Sequence, residues 1–208
     1  MRLVVLGATG GVGLQLVSQA IAHGHSVTAF ARSPERLLNL GDGLMLMRGN
    51  LLDVDELAEV LRGQDAIVSA FGPRVPITNG DSHLLRRFGT TLTIAMEKAR
   101  VRRAIIVSTA FLFKDSIIPP TCLFGRLFFP SVVEDATAME DVIATSGLDW
   151  TLVRPPRLTD GPRTGDYRVR EGHLPRFGFT ASRADVADYM IKTVEGHAAI
   201  GKVVGVCS

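Results

Sequence analysis

The 208-residue chain has only two cysteines, Cys122 and Cys207, and they lie far apart. Two thiols so placed support neither a disulfide framework nor a zinc-binding set, and a reducing, cytoplasmic setting is the simplest expectation. The five histidines, His23, His25, His83, His173 and His197, show no metal-ligand spacing, so they are expected at the surface or as helix caps, with no metal. Charge of one sign is also lacking. The 23 basic and 21 acidic side chains are interspersed for a net +2, which argues against a nucleic-acid partner. No apolar run is long enough to span a bilayer, so no membrane partner is expected; segment 116–130 is broken by Pro119, Pro120 and Gly125. The apolar opening ends at Gly7, too short for a signal peptide, and reads as a first strand. Finally, there are only two tyrosines, Tyr167 and Tyr189, and neither has a lysine four residues later. That absence argues against alcohol–ketone chemistry by a tyrosine whose pKa is lowered by lysine. Lys192, three residues after Tyr189, reads as a surface lysine beside a packing tyrosine.

What is present is an alternation of short apolar runs with amphipathic segments. Runs at 2–6, 27–31, 44–48, 66–70, 104–108, 149–154 and 203–206 predict buried strands. Helical spacing is found at 14–21, ended by Gly24, then after Ser33-Pro34, after Asp53 or Asp55, over 80–100, over 132–146 closed at Gly147, and over 183–195. Residues 155–180, rich in Pro, Gly and Arg, predict loops with one short strand at most. Arg100, Arg102 and Arg103 flank a helix end and suit its dipole. This order predicts an α/β protein, a single Rossmann-type doubly wound, mainly parallel sheet with helices on both faces. The expected organisation is one domain over 1–208, with the substrate side elaborated by 111–131 and 155–180. Ligands of such sheets sit beyond the carboxyl ends of the strands.

The first such end carries Gly7-Ala8-Thr9-Gly10-Gly11-Val12-Gly13. The spacing G-x-x-G-x-x-G between a strand and a helix is the context of a dinucleotide turn. Gly7 permits the tight turn, Gly10 lets a pyrophosphate approach the backbone, and Gly13 lets the helix pack on the sheet, while free N–H groups of the helix face the phosphates. An NAD enzyme usually carries an acidic residue about 20 residues on. Here the second strand ends in Ala31-Arg32-Ser33, with Arg36 a turn later and no acid. Guanidinium groups suit a 2′-phosphate, so NADP(H) is the predicted cofactor.

With these residues the chain resembles the atypical short-chain dehydrogenase/reductases, above all the branch holding biliverdin-IXβ reductase/flavin reductase and NmrA-like NAD(P)-binding proteins. The resemblance rests on the glycine turn, on Ala31-Arg32-Ser33-Pro34-Glu35-Arg36-Leu37, on Gly49-Asn50-Leu51-Leu52-Asp53 and on Gln64-Asp65-Ala66. It continues through Ser108-Thr109-Ala110-Phe111-Leu112-Phe113, Ser146-Gly147-Leu148-Asp149-Trp150-Thr151 and Arg154-Pro155-Pro156-Arg157-Leu158-Thr159-Asp160-Gly161-Pro162. It implies that Gly7, Thr9, Gly10, Gly11 and Val12 meet the pyrophosphate, and that Arg32, Ser33 and Arg36 meet the 2′-phosphate. Asn50, where the family more often has Asp, and Leu51 would meet adenine. Ala70, Phe71 and Gly72 would pass beneath the ribose, with Ser108, Thr109 and the backbone of Pro155 and Pro156 near the nicotinamide. Biliverdin-IXβ reductase has serine in place of Thr109 and histidine in place of Arg157, a fixed cation that would favour an anionic acceptor.

The expected activity is an NADPH-dependent oxidoreductase, with Thr109, Ser108 and Arg157 as the catalytic candidates. It would pass hydride to a small-molecule substrate, a flavin or tetrapyrrole, that needs no strong protein acid. Phe111, Leu112 and Phe113, with Phe124, Leu127, Phe128 and Phe129, are candidates for a stacking surface. The alternatives are a non-catalytic NADP(H)-binding redox-sensor or regulatory protein of NmrA type, and a biosynthetic reductase or isomerase with a dedicated small substrate. A monomer and a homodimer both fit.

Overall fold

The computed structural model describes residues 1–38, 40–41, 43–72, 83–113 and 130–208. In chain order these form β1 (Arg2–Leu6), α1 (Gly11–Ala22), β2 (Ser26–Ala31), β3 (Leu44–Arg48), α2 (Val54–Leu61), β4 (Ala66–Ser69), α3 (Leu84–Ala99) and β5 (Arg103–Val107). There follow α4 (Pro130–Ala144), β6 (Asp149–Arg154), β7 (Arg157–Thr159), β8 (Arg168–Glu171), β9 (Thr180–Ser182), α5 (Arg183–Glu195) and β10 (Lys202–Cys207). Eight strands make one sheet in the order β3-β2-β1-β4-β5-β6-β10-β8, while β7 and β9 pair separately. Every pairing in the large sheet is parallel except β8 on β10. This is the expected Rossmann-type α/β fold. The strand order reverses between β1 and β4, which opens a crevice at their carboxyl ends.

The period of two along β1 builds both faces at once. Leu3 and Val5 join the core under α1 and α5, with Leu16, Val17, Val186 and Met190. Val4 and Leu6 join the opposite core, with Leu57, Phe88, Leu92 and Met139 from α2, α3 and α4. Helix starts are fixed by carboxylates and hydroxyls. Asp53 Oδ1 accepts from the Asp55 and Glu56 amides at 2.9 and 3.0 Å, and Ser182 Oγ accepts from Asp185 N at 2.9 Å. Helix α3 is capped from outside: Asp135 on α4 accepts from the amides of Leu85 and Arg86 at 2.7 and 3.0 Å.

Three expectations need correction. The segment after Ser33 is a single 3-10 turn, Pro34–Leu37, rather than a helix, with Leu37 buried and Leu38 68% exposed. Four residues are too few to form a buried stripe. Residues 157–171 hold two strands, not one; β8 is exposed along its whole length and exists through backbone pairing to β10. Arg103 does not meet a helix dipole. It is the buried first residue of β5, and its guanidinium donates to the carbonyls of Asp149 (2.7 Å) and Ala198 (2.7 Å) and to Thr151 Oγ1 (2.9 Å).

Helix α5 carries two buried carboxylates that make stability pH-dependent. Asp185 accepts from the amides of Thr164 and Gly165 at 2.7 and 3.0 Å, and Asp188 meets Lys192, Arg163 and the Tyr167 hydroxyl at 2.7, 3.2 and 2.8 Å. Burial pushes both carboxyl pKa values up. The hydrogen bonds, joined at Asp188 by its cations, outweigh burial and leave both below the ordinary value. Groups so depressed add stability that is present above the unfolded pKa, near 4, and lost as pH falls through the folded value. Thermal melts are therefore expected to drop between about pH 5 and pH 3, and the drop is expected to be shallower in Asp188→Asn.

Candidate functional site

The residues singled out by sequence gather at the carboxyl edge of the sheet. Gly7 ends β1 with φ +72°, and a Cβ there would lie 2.7 Å from Ala70 C and O and Phe71 N. The first glycine thus lets the β1 and β4 ends touch, and the Ala70 amide donates to Leu6 O at 2.9 Å. A Cβ on Gly13 would lie 2.1 Å from Gly7 O, so the third glycine is needed for α1 to fold back on the turn. At Gly10 the nearest atom to an added Cβ is Gly7 O at 3.3 Å, which leaves open space on the ligand side. No side chain caps α1, and its first turn carries no acidic residue. Its free N–H groups and positive dipole end are available to an anion beside Thr9, Gly10, Gly11 and Val12.

At the β2 end, Arg32, Ser33 and Arg36 are exposed, and neither arginine has an ion-pair partner among the described residues. Arg48 joins them, a residue that sequence reasoning missed. Its Nε donates to Arg32 O at 3.1 Å and its guanidinium meets Glu35 at 3.1 Å. The parallel register that sets Ala31 against Arg48 was the available signal. Beyond β3, Asn50 Oδ1 accepts from Leu52 N at 3.0 Å, which engages the acceptor and leaves the amide NH2 to donate. The Leu51 side chain is buried in the core, so what it can offer a ligand is backbone.

The β4 end continues through Ala70, Phe71 and Gly72. Phe71 stacks tilted on Phe88 at 4.6 Å, and an added Cβ on Gly72 would meet nothing within 4 Å. The β5 and β6 ends are tied together: Ser108 N donates to Val153 O at 2.7 Å and Ala110 N to Pro155 O at 3.2 Å. Thr109 Oγ1 accepts from Phe111 N at 3.3 Å. Ser108 Oγ is shielded from solvent and has no hydrogen-bond partner among the described residues. Pro155 is buried and Pro156 half-buried beside these hydroxyls, whereas Arg157 is exposed and leads into the separate β7–β9 pair. Beneath this corner the Arg154 guanidinium pairs with Glu140 on α4 and lies 4.8 Å from the Phe113 ring centroid. Phe113 is thus a core residue, 2% exposed, and not part of a stacking surface as expected from sequence. Phe111 and Leu112 are partly exposed, while Phe124, Leu127, Phe128 and Phe129 lie outside the described residues.

A second missed residue lies over the glycine turn. A Cβ on Gly11 would fall 2.5 Å from Arg183 Cδ and 2.7 Å from its Nε, so the first side chain of α5 covers the start of α1. Arg183 Nη1 is held by the exposed Asp160 at 2.5 Å. Nothing local in the sequence places these residues together.

The two tyrosines are occupied elsewhere. Tyr167 donates to Asp188, its pKa raised by burial and then by that bond, and Tyr189 meets Tyr167 edge-on at 6.1 Å. Lys192 is paired with Asp188 and lies over the Tyr167 ring.

Comparison with known proteins agrees with this geometry. The family described as NAD(P)H-binding matches residues 7–196, from the first glycine of the turn to the residue after α5. The chain belongs to this family. As a member it binds NAD(P)H. The Bacillus subtilis (strain 168) protein YwnB is 28% identical over 203 residues, covering 94% of this chain and 91% of its own. The Aspergillus terreus reductase pytE is 26% identical over 242 residues, with 91% and 90% covered. Among solved structures, ChuY, an anaerobillin reductase from Escherichia coli O157:H7, superposes with a TM-score of 0.81 at 24% identity, covering all of this chain and 97% of that one. The family and the reductase-named relative pytE support an NAD(P)H oxidoreductase. Among the described residues, no helix is long and apolar enough to cross a membrane.

Proposed function

We propose that this protein is an NADPH-dependent reductase that passes hydride to a conjugated acceptor, a flavin or a tetrapyrrole. The observation that carries this reading is the end of β5, where the hydroxyls of Ser108 and Thr109 stand while both tyrosines are held elsewhere. Reducing a ketone calls for a firm proton donor beside its oxygen. A flavin or linear tetrapyrrole can instead draw its proton from water or a weak hydroxyl. The names of pytE and ChuY, a reductase and an anaerobillin reductase, support the same class.

The site fits the cofactor. In this reading Thr9, Gly10, Gly11 and Val12 hold the pyrophosphate at the uncapped end of α1, with Gly7 keeping the turn tight and Arg183 above it. Arg32, Ser33 and Arg36 take the 2′-phosphate and select NADPH over NADH. Asn50 donates through its amide and Leu51 through its backbone to adenine. Ala70, Phe71 and Gly72 floor the ribose. The shielded Ser108 Oγ gains a polar partner from the nicotinamide beside the backbone of Pro155 and Pro156. Bound nicotinamide supplies the hydride. Thr109 Oγ1 accepts from the Phe111 amide, which orients its own O–H outward to donate toward an acceptor. Arg157, exposed and unpaired among the described residues, draws an anionic group of the acceptor toward the site.

Steady-state NADPH oxidation with FMN, riboflavin and biliverdin tests the reading. Turnover with at least one is expected, and tight NADPH binding without turnover of any would favour the regulatory alternative. Cofactor selection is tested by titration. Arg32→Ala/Arg36→Ala is expected to weaken NADPH binding about 100-fold and leave NADH binding unchanged, because two charge-assisted contacts are lost from the 2′-phosphate alone. Arg183→Gln is expected to weaken both nucleotides equally, because the pyrophosphate is common to them.

A further inference from the structure

At the opposite end of the sheet from the glycine turn, three side chains from three elements converge. His23 caps the end of α1, His25 stands just before β2, and Glu195 is the last residue of α5. Glu195 Oε1 lies 3.0 Å from His23 Nδ1 and 2.8 Å from His25 Nε2, and one ligand atom from each residue falls within 4.8 Å of the other two. We propose that His23, His25 and Glu195 form a three-ligand site for a divalent cation of the zinc class, which clips α1 to α5.

Two imidazole nitrogens and one carboxylate oxygen are a donor set suited to Zn2+ among common divalent ions. Zinc bonds of about 2.0–2.2 Å require ligand atoms about 3.3 Å apart. The two His–Glu gaps must widen by a few tenths of an ångström and the two imidazoles must close on each other. Both are rotations of side chains, and the backbone beneath them is fixed. His23 N donates to Gln19 O at 2.9 Å and His25 N to Ala20 O at 3.0 Å, while Gly24 between them takes the left-handed conformation at φ +79°. Glu195 is carried by a helix whose Val186, Ala187, Met190 and Val194 pack in the same core as Leu16, Val17 and Ala20 of α1. Exposure is graded: the His25 side chain is 7% exposed, His23 26% and Glu195 33%. The site therefore has a buried floor and an open mouth where water completes four-coordination.

A cation taken by His23 Nδ1 and His25 Nε2 leaves each neutral ring its single proton, held on the other ring nitrogen. The remaining proton of His25 then sits on Nδ1, facing the Met1 amine 3.3 Å away. That amine accepts it in its neutral form or swings out, as the exposure of Met1 permits. Protons thus balance: a neutral ring releases none, and an imidazolium ring releases one to solvent.

The test uses the full chain treated with chelator, then titrated with Zn2+ by calorimetry and with Co2+ by visible absorption. One equivalent per chain is expected, with an intense d–d band of four-coordinate Co2+ and a rise in Tm of about 5–10 °C at saturation. His23→Gln and Glu195→Gln each change an accessible ligand, and each is expected to weaken Zn2+ binding at least about 100-fold and remove the cobalt band. His25→Gln, a change at the buried ligand, is not needed. Absence of stoichiometric Zn2+ binding in the parent chain, or binding of equal affinity in His23→Gln and Glu195→Gln, overturns the site and leaves a hydrogen-bonded His–Glu–His contact. Because the cluster lies away from the nucleotide turn, neither outcome bears on NADPH binding.

Discussion

Gly13→Ala is expected to weaken NADPH binding by about 100-fold or more and to lower Tm. The added methyl carbon would stand 2.1 Å from Gly7 O and 2.7 Å from Ala8 Cα, and both are backbone atoms that cannot rotate away. Either α1 moves off the turn or the turn opens. A displacement of about 1 Å suffices to take free N–H groups out of hydrogen-bond range of a phosphate. Overpacking of this kind costs about 1–3 kcal/mol of stability, so the variant should still fold and its binding can be measured directly. Titration of both proteins with NADPH, read by nucleotide fluorescence, checks the claim. Gly147→Ala separates the two effects. It replaces a glycine at φ +71° far from the turn, with nothing within 4 Å of the new Cβ, so it should lower Tm without changing NADPH affinity.

The other large effect concerns stability beneath the hydroxyl corner. Arg154→Met is expected to destabilise the protein by about 3–5 kcal/mol, measured by chemical denaturation. The Arg154 and Glu140 side chains are 14% and 8% exposed, and two nitrogens of the guanidinium meet both carboxylate oxygens, with Nε to Oε1 at 3.0 Å. Removing the cation strands a buried carboxylate on α4. The double variant Arg154→Met/Glu140→Leu is expected to recover most of the loss, because two apolar side chains of similar size leave no unpaired charge. Arg154 also stacks on Phe113 and precedes Pro155, so the single variant should disturb the alignment of β6 with Ser108 and Thr109.

The parts of the fold that were legible are those whose signal is local. Strands β1, β3 and β6 and helix α5 occur over the residues expected, because each apolar run is bounded by glycine, proline or a capping residue. The glycine turn was legible for the same reason: strand, turn and helix are contiguous, and the steric need for Gly7 and Gly13 follows from the turn itself. The missed features arise from residues brought together only by the completed sheet. Arg103 reads as a residue at a helix end, yet parallel pairing with β6 sets it over Asp149 and Thr151, where a backbone carbonyl and a hydroxyl accept from its guanidinium. Arg183 and Gly11 meet because α5 packs against α1. His23 and Glu195, 172 positions apart, meet for the same reason at the other end of those helices, although a scan of histidine spacing shows nothing. Phe113 read as a pocket residue from its motif; its burial depends on Leu174 and Arg154, which no local pattern brings near it.

In the proposed reaction the carboxyl edge of this sheet, furnished with hydroxyls rather than a tyrosine–lysine pair, passes hydride from NADPH to a conjugated acceptor. A single-turnover experiment tests it most directly. The protein saturated with NADPH, unlabelled or deuterated at the transferred C4 position, is mixed with FMN or biliverdin in a stopped-flow spectrometer under anaerobic conditions. NADPH absorbance is expected to fall in step with bleaching of one acceptor, at equal stoichiometry, and deuterium to slow both signals together. Bound NADPH that persists unchanged in the presence of every such acceptor would contradict it.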